Sequence, residues 1–160
     1  MKLDKILVPL DGSMLAEAAL WTAGDLAEKN GATISLLRGA EASTRPGSDA
    51  VQAQVMAVRE AEEYLAAVVK RLADRGFGRV ETHVWYGPPA AAIVEAATAQ
   101  KADLIVMSTH GRSGLGRLVL GSVTESVLRG TTVPILVVRA DHAPLDVPTG
   151  ARQAERASHV

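Results

Sequence analysis

Eighteen residues in the second half of the chain could hold an anion: Ser108-Thr109-His110-Gly111-Arg112-Ser113-Gly114-Leu115-Gly116-Arg117-Leu118-Val119-Leu120-Gly121-Ser122-Val123-Thr124-Glu125. Gly111, Gly114 and Gly116 fall within six residues and follow an apolar run, Leu104–Met107. Glycines so placed let backbone N–H groups turn toward a phosphate without side-chain interference. Gly121-Ser122 then opens a helix, whose free N–H groups and dipole favour a negative ligand by about 0.3–1 kcal/mol at exposed sites. Arg112 and Arg117 add positive charge nearby. A second reading stands beside this one: Ser122-x-x-Glu125 has the form of a capping box, in which Ser122 only satisfies the helix start. Two better-known phosphate loops are excluded. Gly111 and Gly116 have Walker A spacing, but Arg117-Leu118 stands where the Lys and Ser/Thr belong. The dinucleotide fingerprint fails because the glycines run in the wrong order and no acid partner follows.

Other candidates are sparser. Asp11 sits in Asp11-Gly12-Ser13 after the first apolar run, either as a ligand-facing carboxylate or as a turn acid bonding its own backbone. His110 could assist phosphate chemistry or simply be hydrogen-bonded in its loop. His83 in a strand and His142 near the C-terminus lack metal-ligand spacing. Glu60, Glu62 and Glu63 read as a solvated helix face. No Ser, His and acid stand out as a hydrolase triad.

The elements that must position these residues follow from pattern and size. A chain of 160 residues fits one domain, able to remove roughly 70% of its unfolded surface from water. Hydrophobic residues make up 48% but aromatics only 3%, so the core must be built from Ala, Val, Leu and Ile. A formal net charge of −1 argues against general nucleic-acid or membrane-surface binding, which need a large positive field. There is no cysteine, hence no disulfide framework. No run approaches the ~18 apolar residues of a membrane span, and the N-terminal residues lack a secretory stretch, so the cytoplasm is the expected compartment.

Short β-branched runs alternate with longer Ala-rich ones, the pattern of a doubly wound α/β fold with a five-stranded parallel sheet and helices on both faces. The expected strands are Ile6–Val8, Thr33–Leu37, Val80–Trp85, Leu104–Met107 and Val133–Val138. The expected helices are Leu15–Asn30, capped by Ser13 and ended by Gly31; Val51–Arg75, ended near Gly76; Pro89–Gln100; and Val123–Arg129, stopped by Gly130. Residues 41–49 read as a loop. The domain is expected over residues 1–140, and residues 141–160, with Pro144, Pro148 and Gly150, as a tail. In such a sheet, ligands settle outside the C-terminal ends of the two strands between which the order reverses.

The segment after the fourth strand resembles the signature of the universal stress protein family, Gly-x2-Gly-x9-Gly-Ser/Thr, with Gly111, nine intervening residues and Gly121-Ser122. Ile6-Leu7-Val8-Pro9-Leu10-Asp11-Gly12-Ser13, Tyr86-Gly87-Pro88-Pro89-Ala90 and Ala102-Asp103-Leu104-Ile105-Val106-Met107 are similar to the family's first strand and turn, its third-helix turn and its fourth strand. The resemblance runs from about Leu3 to Arg139. It implies the adenine nucleotide alpha hydrolase-like variant of this fold, with an ATP site between the first and fourth strands. It also implies that Asp11 contacts adenine with the backbone at Gly39, and that Ser108 lies by the ribose. Gly111, Arg112, Gly121, Ser122 and Val123 would hold the phosphates with Mg2+. Pro9, Met107, His110 and Gly114, as neighbours in the same motifs, complete the expected cofactor-binding set. Ser108 stands at the motif's first glycine position, and Gly39 where an apolar residue is usual. The resemblance further implies a homodimer paired through the last strand, with Val133, Ile135 and Val137 at the contact.

Three functions follow as expectations: an ATP-linked stress-response sensor or regulator; a slow Mg-dependent ATPase or autophosphorylating enzyme with Ser113 or Ser122 as acceptor; or a dimeric scaffold without nucleotide. The absence of an evident general base ranks the binding protein ahead of the enzyme.

Overall fold

A computed structural model describes residues 2–42, 47, 49–109 and 120–140. The five strands are β1 (Lys5–Leu10), β2 (Thr33–Ala40), β3 (Val80–Tyr86), β4 (Leu104–Thr109) and β5 (Ile135–Arg139). The helices are α1 (Met14–Glu17), α2 (Ala19–Asn30), α3 (Ala50–Ala73), α4 (Pro89–Ala99) and α5 (Ser122–Gly130). All pairings are parallel and the order is β3-β2-β1-β4-β5. The chain builds outward from β1 to β3, then returns to β4 on the other side, so the switch point falls between β1 and β4, the two strands that the family resemblance singles out.

Strand alternation sends neighbouring residues to opposite faces and so divides the core in two. Ile6, Val8, Leu10, Ile34, Leu36, Leu104 and Val106 pack against Leu20, Ala23 and Ala27 of α2 and Leu65, Val68 and Leu72 of α3. Leu7, Leu37, Ile105 and Met107 face the other way, onto Ile93, Ala96 and Ala97 of α4 and Val127 of α5. Burial on both faces explains why β1 and β4 read as continuous apolar runs.

Local signals account for most boundaries. The Ser13 hydroxyl accepts the Ala16 N–H at 3.1 Å and starts α1. Gly31, at φ +66°, ends α2 in the left-handed conformation that glycine tolerates, and Ala32 N–H reaches back to the Ala27 carbonyl at 2.9 Å. Asp49 caps α3 by accepting from Val51 and Gln52 N–H. Three expectations need correction. The first helix is interrupted at Ala18, whose N–H makes the tighter three-residue bond to Leu15. Gly130 is the last residue of α5, and Thr131 follows as its C-cap. The last strand begins at Ile135, because Pro134 has no N–H to give the ladder; its carbonyl accepts from Ile105 N–H at 2.9 Å.

Candidate functional site

At the switch point the C-terminal ends of β1, β2 and β4 enclose, with α1, α4 and α5, a cavity of about 290 Å³. Pro9, Leu10 and Asp11 reach it from β1 and its turn, Leu15 and Ala16 from α1, Leu37 and Gly39 from β2, and Met107 and Ser108 from β4. Pro89, Ala92 and Ile93 of α4 close one side, and Gly121, Ser122, Val123 and Thr124 at the start of α5 close another.

The structure brings Pro9, Asp11, Gly39, Met107, Ser108, Gly121, Ser122 and Val123 together on this one wall. The other expected site residues, His110, Gly111, Arg112 and Gly114, lie outside the described residues. Sequence reasoning missed Leu10, Leu15, Ala16, Leu37, Pro89, Ala92, Ile93 and Thr124. The C-terminal-end rule would have reached Leu37, and the proline-led start of α4 would have reached Pro89.

Gly121 occupies the N-cap of α5 with extended backbone (φ −60°, ψ 152°) and contributes no side-chain bond. Ser122 is therefore the first helical residue and cannot cap. The capping box of the second reading does not form: Glu125 instead pairs with Arg129 one turn on, at 2.9 Å. Thr124 is buried, and its neighbours Ser122 and Val123 open toward the cavity. The first N–H groups of a helix have no intrahelical acceptor, so at α5 they line the crevice without a side-chain competitor among the described residues.

On the other side of the cavity, Asp11 Oδ1 accepts both the Ser13 N–H at 2.8 Å and the Ser13 hydroxyl at 2.5 Å. The turn-acid reading of Asp11 is thus realised, and its second oxygen takes part in neither bond. Gly12, between them, has φ +87°. Among the described residues on the wall, Asp11 is the sole charged side chain, with the hydroxyls of Ser108, Ser122 and Thr124 as the other polar side chains. The arrangement suits a ligand that donates a hydrogen bond at the β1 turn, lays an apolar body against Leu37, Ala92 and Ile93, and carries negative charge toward α5. No group of His, Cys, Asp and Glu fit to hold a metal occurs among the described residues, and none of their helices is long and apolar enough to cross a membrane.

A parallel sheet with helices on both faces and a crevice at its switch point defines an α/β protein of the doubly wound class. Comparison narrows this further: the profile of the Universal stress protein family matches residues 2–139, and the chain belongs to that family. The universal stress protein MJ0531 of Methanocaldococcus jannaschii is 34% identical over 138 residues, which are 84% of this chain and 81% of that protein. The solved structure of protein MJ0577 superposes with a TM-score of 0.70 at 29% identity, covering 89% of this chain and 99% of that one. A universal stress protein solved in complex with cAMP superposes with a TM-score of 0.58 at 26% identity, covering 90% of this chain and all of that one (100%).

Proposed function

We propose that the crevice between β1 and β4 binds an adenine nucleotide, with ATP and Mg2+ as the ligand, and that the chain works as a nucleotide-linked regulator of the stress response. The observation that carries this reading is the pairing, across one apolar-walled cavity, of the start of α5, uncapped by any described side chain, with the Asp11 carboxylate. An amino-bearing base suits the acceptor-only carboxylate. Phosphate suits the helix amides. The complex of a relative with cAMP supports the nucleotide class. Mg2+ commonly keeps water and phosphate ligands and takes few protein groups, which fits a wall whose described residues offer the Ser122 hydroxyl and no carboxylate cluster.

Binding rather than turnover is the favoured reading. Asp11 is the titratable side chain on the described wall, and Ser13 already occupies one of its oxygens. We also read β5 as the edge that pairs with a second copy: it ends the sheet order, and Leu136 is 37% exposed there. Of the expected contact residues, Val133 and Ile135 pack partly against their own core, so the open main-chain edge and Leu136 are the surface on offer. Light scattering of the wild type against Leu136→Lys tests this; a wild-type monomer would remove the dimer.

The nucleotide reading is tested by calorimetry with Mg-ATP, AMP and cyclic AMP on the wild type and on Gly121→Val, together with a search for adenine nucleotide released on denaturation. Heat with the wild type and an affinity lower by about ten-fold or more in the variant is expected. No heat with any of the three would sink the reading. ADP release no faster than in buffer is expected under turnover conditions.

A further inference from the structure

Gly39 is the next-to-last residue of β2 and lies on the cavity wall. Glycine weakens a strand interior and is normally kept there because the backbone needs a left-handed φ or because another group approaches closely. Neither reason applies. Gly39 is not among the positive-φ glycines, and a Cβ built on it meets nothing within 4 Å among the described residues. Gly12 in the same site shows the contrast: its φ is +87° and a Cβ would stand 3.1 Å from Arg38 Nη1.

By strand alternation, Gly39 faces the same side of the sheet as Leu37, and Leu37 lines the same cavity. The space a side chain at 39 would take is therefore space in the crevice. It lies on the β2 side of β1, next to the apolar wall of α4, whereas Ser108 and the start of α5 lie on the β4 side. A planar base belongs on the apolar side and the phosphates on the other.

We propose that Gly39 leaves open space at the base end of the crevice where a side chain would otherwise stand, and that the chain accepts purine nucleotides carrying a substituent on the base. This rests on the nucleotide reading above and names the ligand class of that site. Gly39 acts here by what it omits. A β-branched residue at 39 would fill that space and restrict the site to the bare base.

The experiment is calorimetry on the full chain with ATP, N6-benzyl-ATP and 2-methylthio-ATP, for the wild type, Gly39→Val and Gly39→Ala, with thermal unfolding as the control for folding. The wild type is expected to bind at least one substituted nucleotide within about three-fold of ATP, and Gly39→Val to shift that ratio against the substituted nucleotide by about ten-fold or more. Gly39→Ala, the smaller change, should move the ratio in the same direction and keep the test valid if the valine variant does not fold. Rejection of both analogues by a wild type that binds ATP overturns this inference alone, as does a ratio that neither variant moves. A wild type that binds none of the three overturns the nucleotide reading, and this inference with it.

Discussion

Arg71 grips Glu17 with both branches of its guanidinium, Nη1 to Oε2 at 3.0 Å and Nη2 to Oε1 at 2.8 Å, although Glu17 is only 5% exposed. The Tyr64 hydroxyl donates to the same carboxylate at 2.8 Å. Burial, joined by the Glu17 charge, raises the Tyr64 pKa far above its usual range, so the hydroxyl remains a donor. Arg38 stacks over the Tyr64 ring at 5.3 Å. The cluster ties α1, which carries Leu15 and Ala16 on the cavity wall, to the C-terminal half of α3.

Removing one member should cost more than removing the pair. Arg71→Met strands the Glu17 carboxylate in the core and is expected to destabilise the protein by about 3–5 kcal/mol in urea unfolding. The double variant Glu17→Leu/Arg71→Met should recover a large part of that loss. A double variant no better than Arg71→Met alone would show that the pair is not the source of the cost.

Asp103 should make stability depend on pH in acid. Its Oδ2 accepts the N–H groups of Asp4 at 2.8 Å and Lys5 at 2.9 Å, joining the starts of β4 and β1. The Lys5 amide, then the Asp4 amide, hold its pKa below the ordinary 3.8. A folded pKa below the unfolded one means the contribution is fully present above the unfolded value and is lost as pH falls through the folded one. Thermal unfolding of wild type and Asp103→Asn should therefore differ by a constant amount at neutral pH. That gap should close below pH 3.8; a gap that persists there, or opens only there, contradicts the assignment.

Gly12→Ala should be destabilising for two separable reasons. The left-handed backbone at φ +87° costs a non-glycine residue about 1–2 kcal/mol, and the new methyl would press on the Arg38 guanidinium, 3.1 Å away. Adding Arg38→Ala should relieve the second cost and leave the first. Chemical denaturation of the two variants measures the split, and no recovery in the double variant would dismiss the contact with Arg38.

The sheet was readable because β1 and β4 are buried on both faces and so appear as unbroken apolar runs. Gly31 and Ser13 announced the ends of helices through chemistry confined to a few residues. The same kind of local signal left two readings open at Ser122-x-x-Glu125, where the spacing is that of a cap but Gly121 takes the cap position and Glu125 turns to Arg129. Much of the cavity wall was not legible. Leu15, Ala92 and Ile93 are the residue types a core uses, and only the sheet order reveals that they line a gap. The Glu17 cluster was hidden for another reason: its partners are 47 and 54 positions away, and a Glu in an Ala-rich helix ordinarily faces water.

The position of β1 at the centre of the sheet has a consequence during synthesis. Its pairing on one side is available once Thr33–Ala40 has emerged, but the other side waits for Leu104–Thr109. At about 5–20 residues per second on the ribosome, the nascent chain carries an open, largely apolar strand edge for several seconds. Completion of the sheet is then a late event that demands long-range closure, so refolding should be slow for a chain of this length and sensitive to anything that competes for that edge.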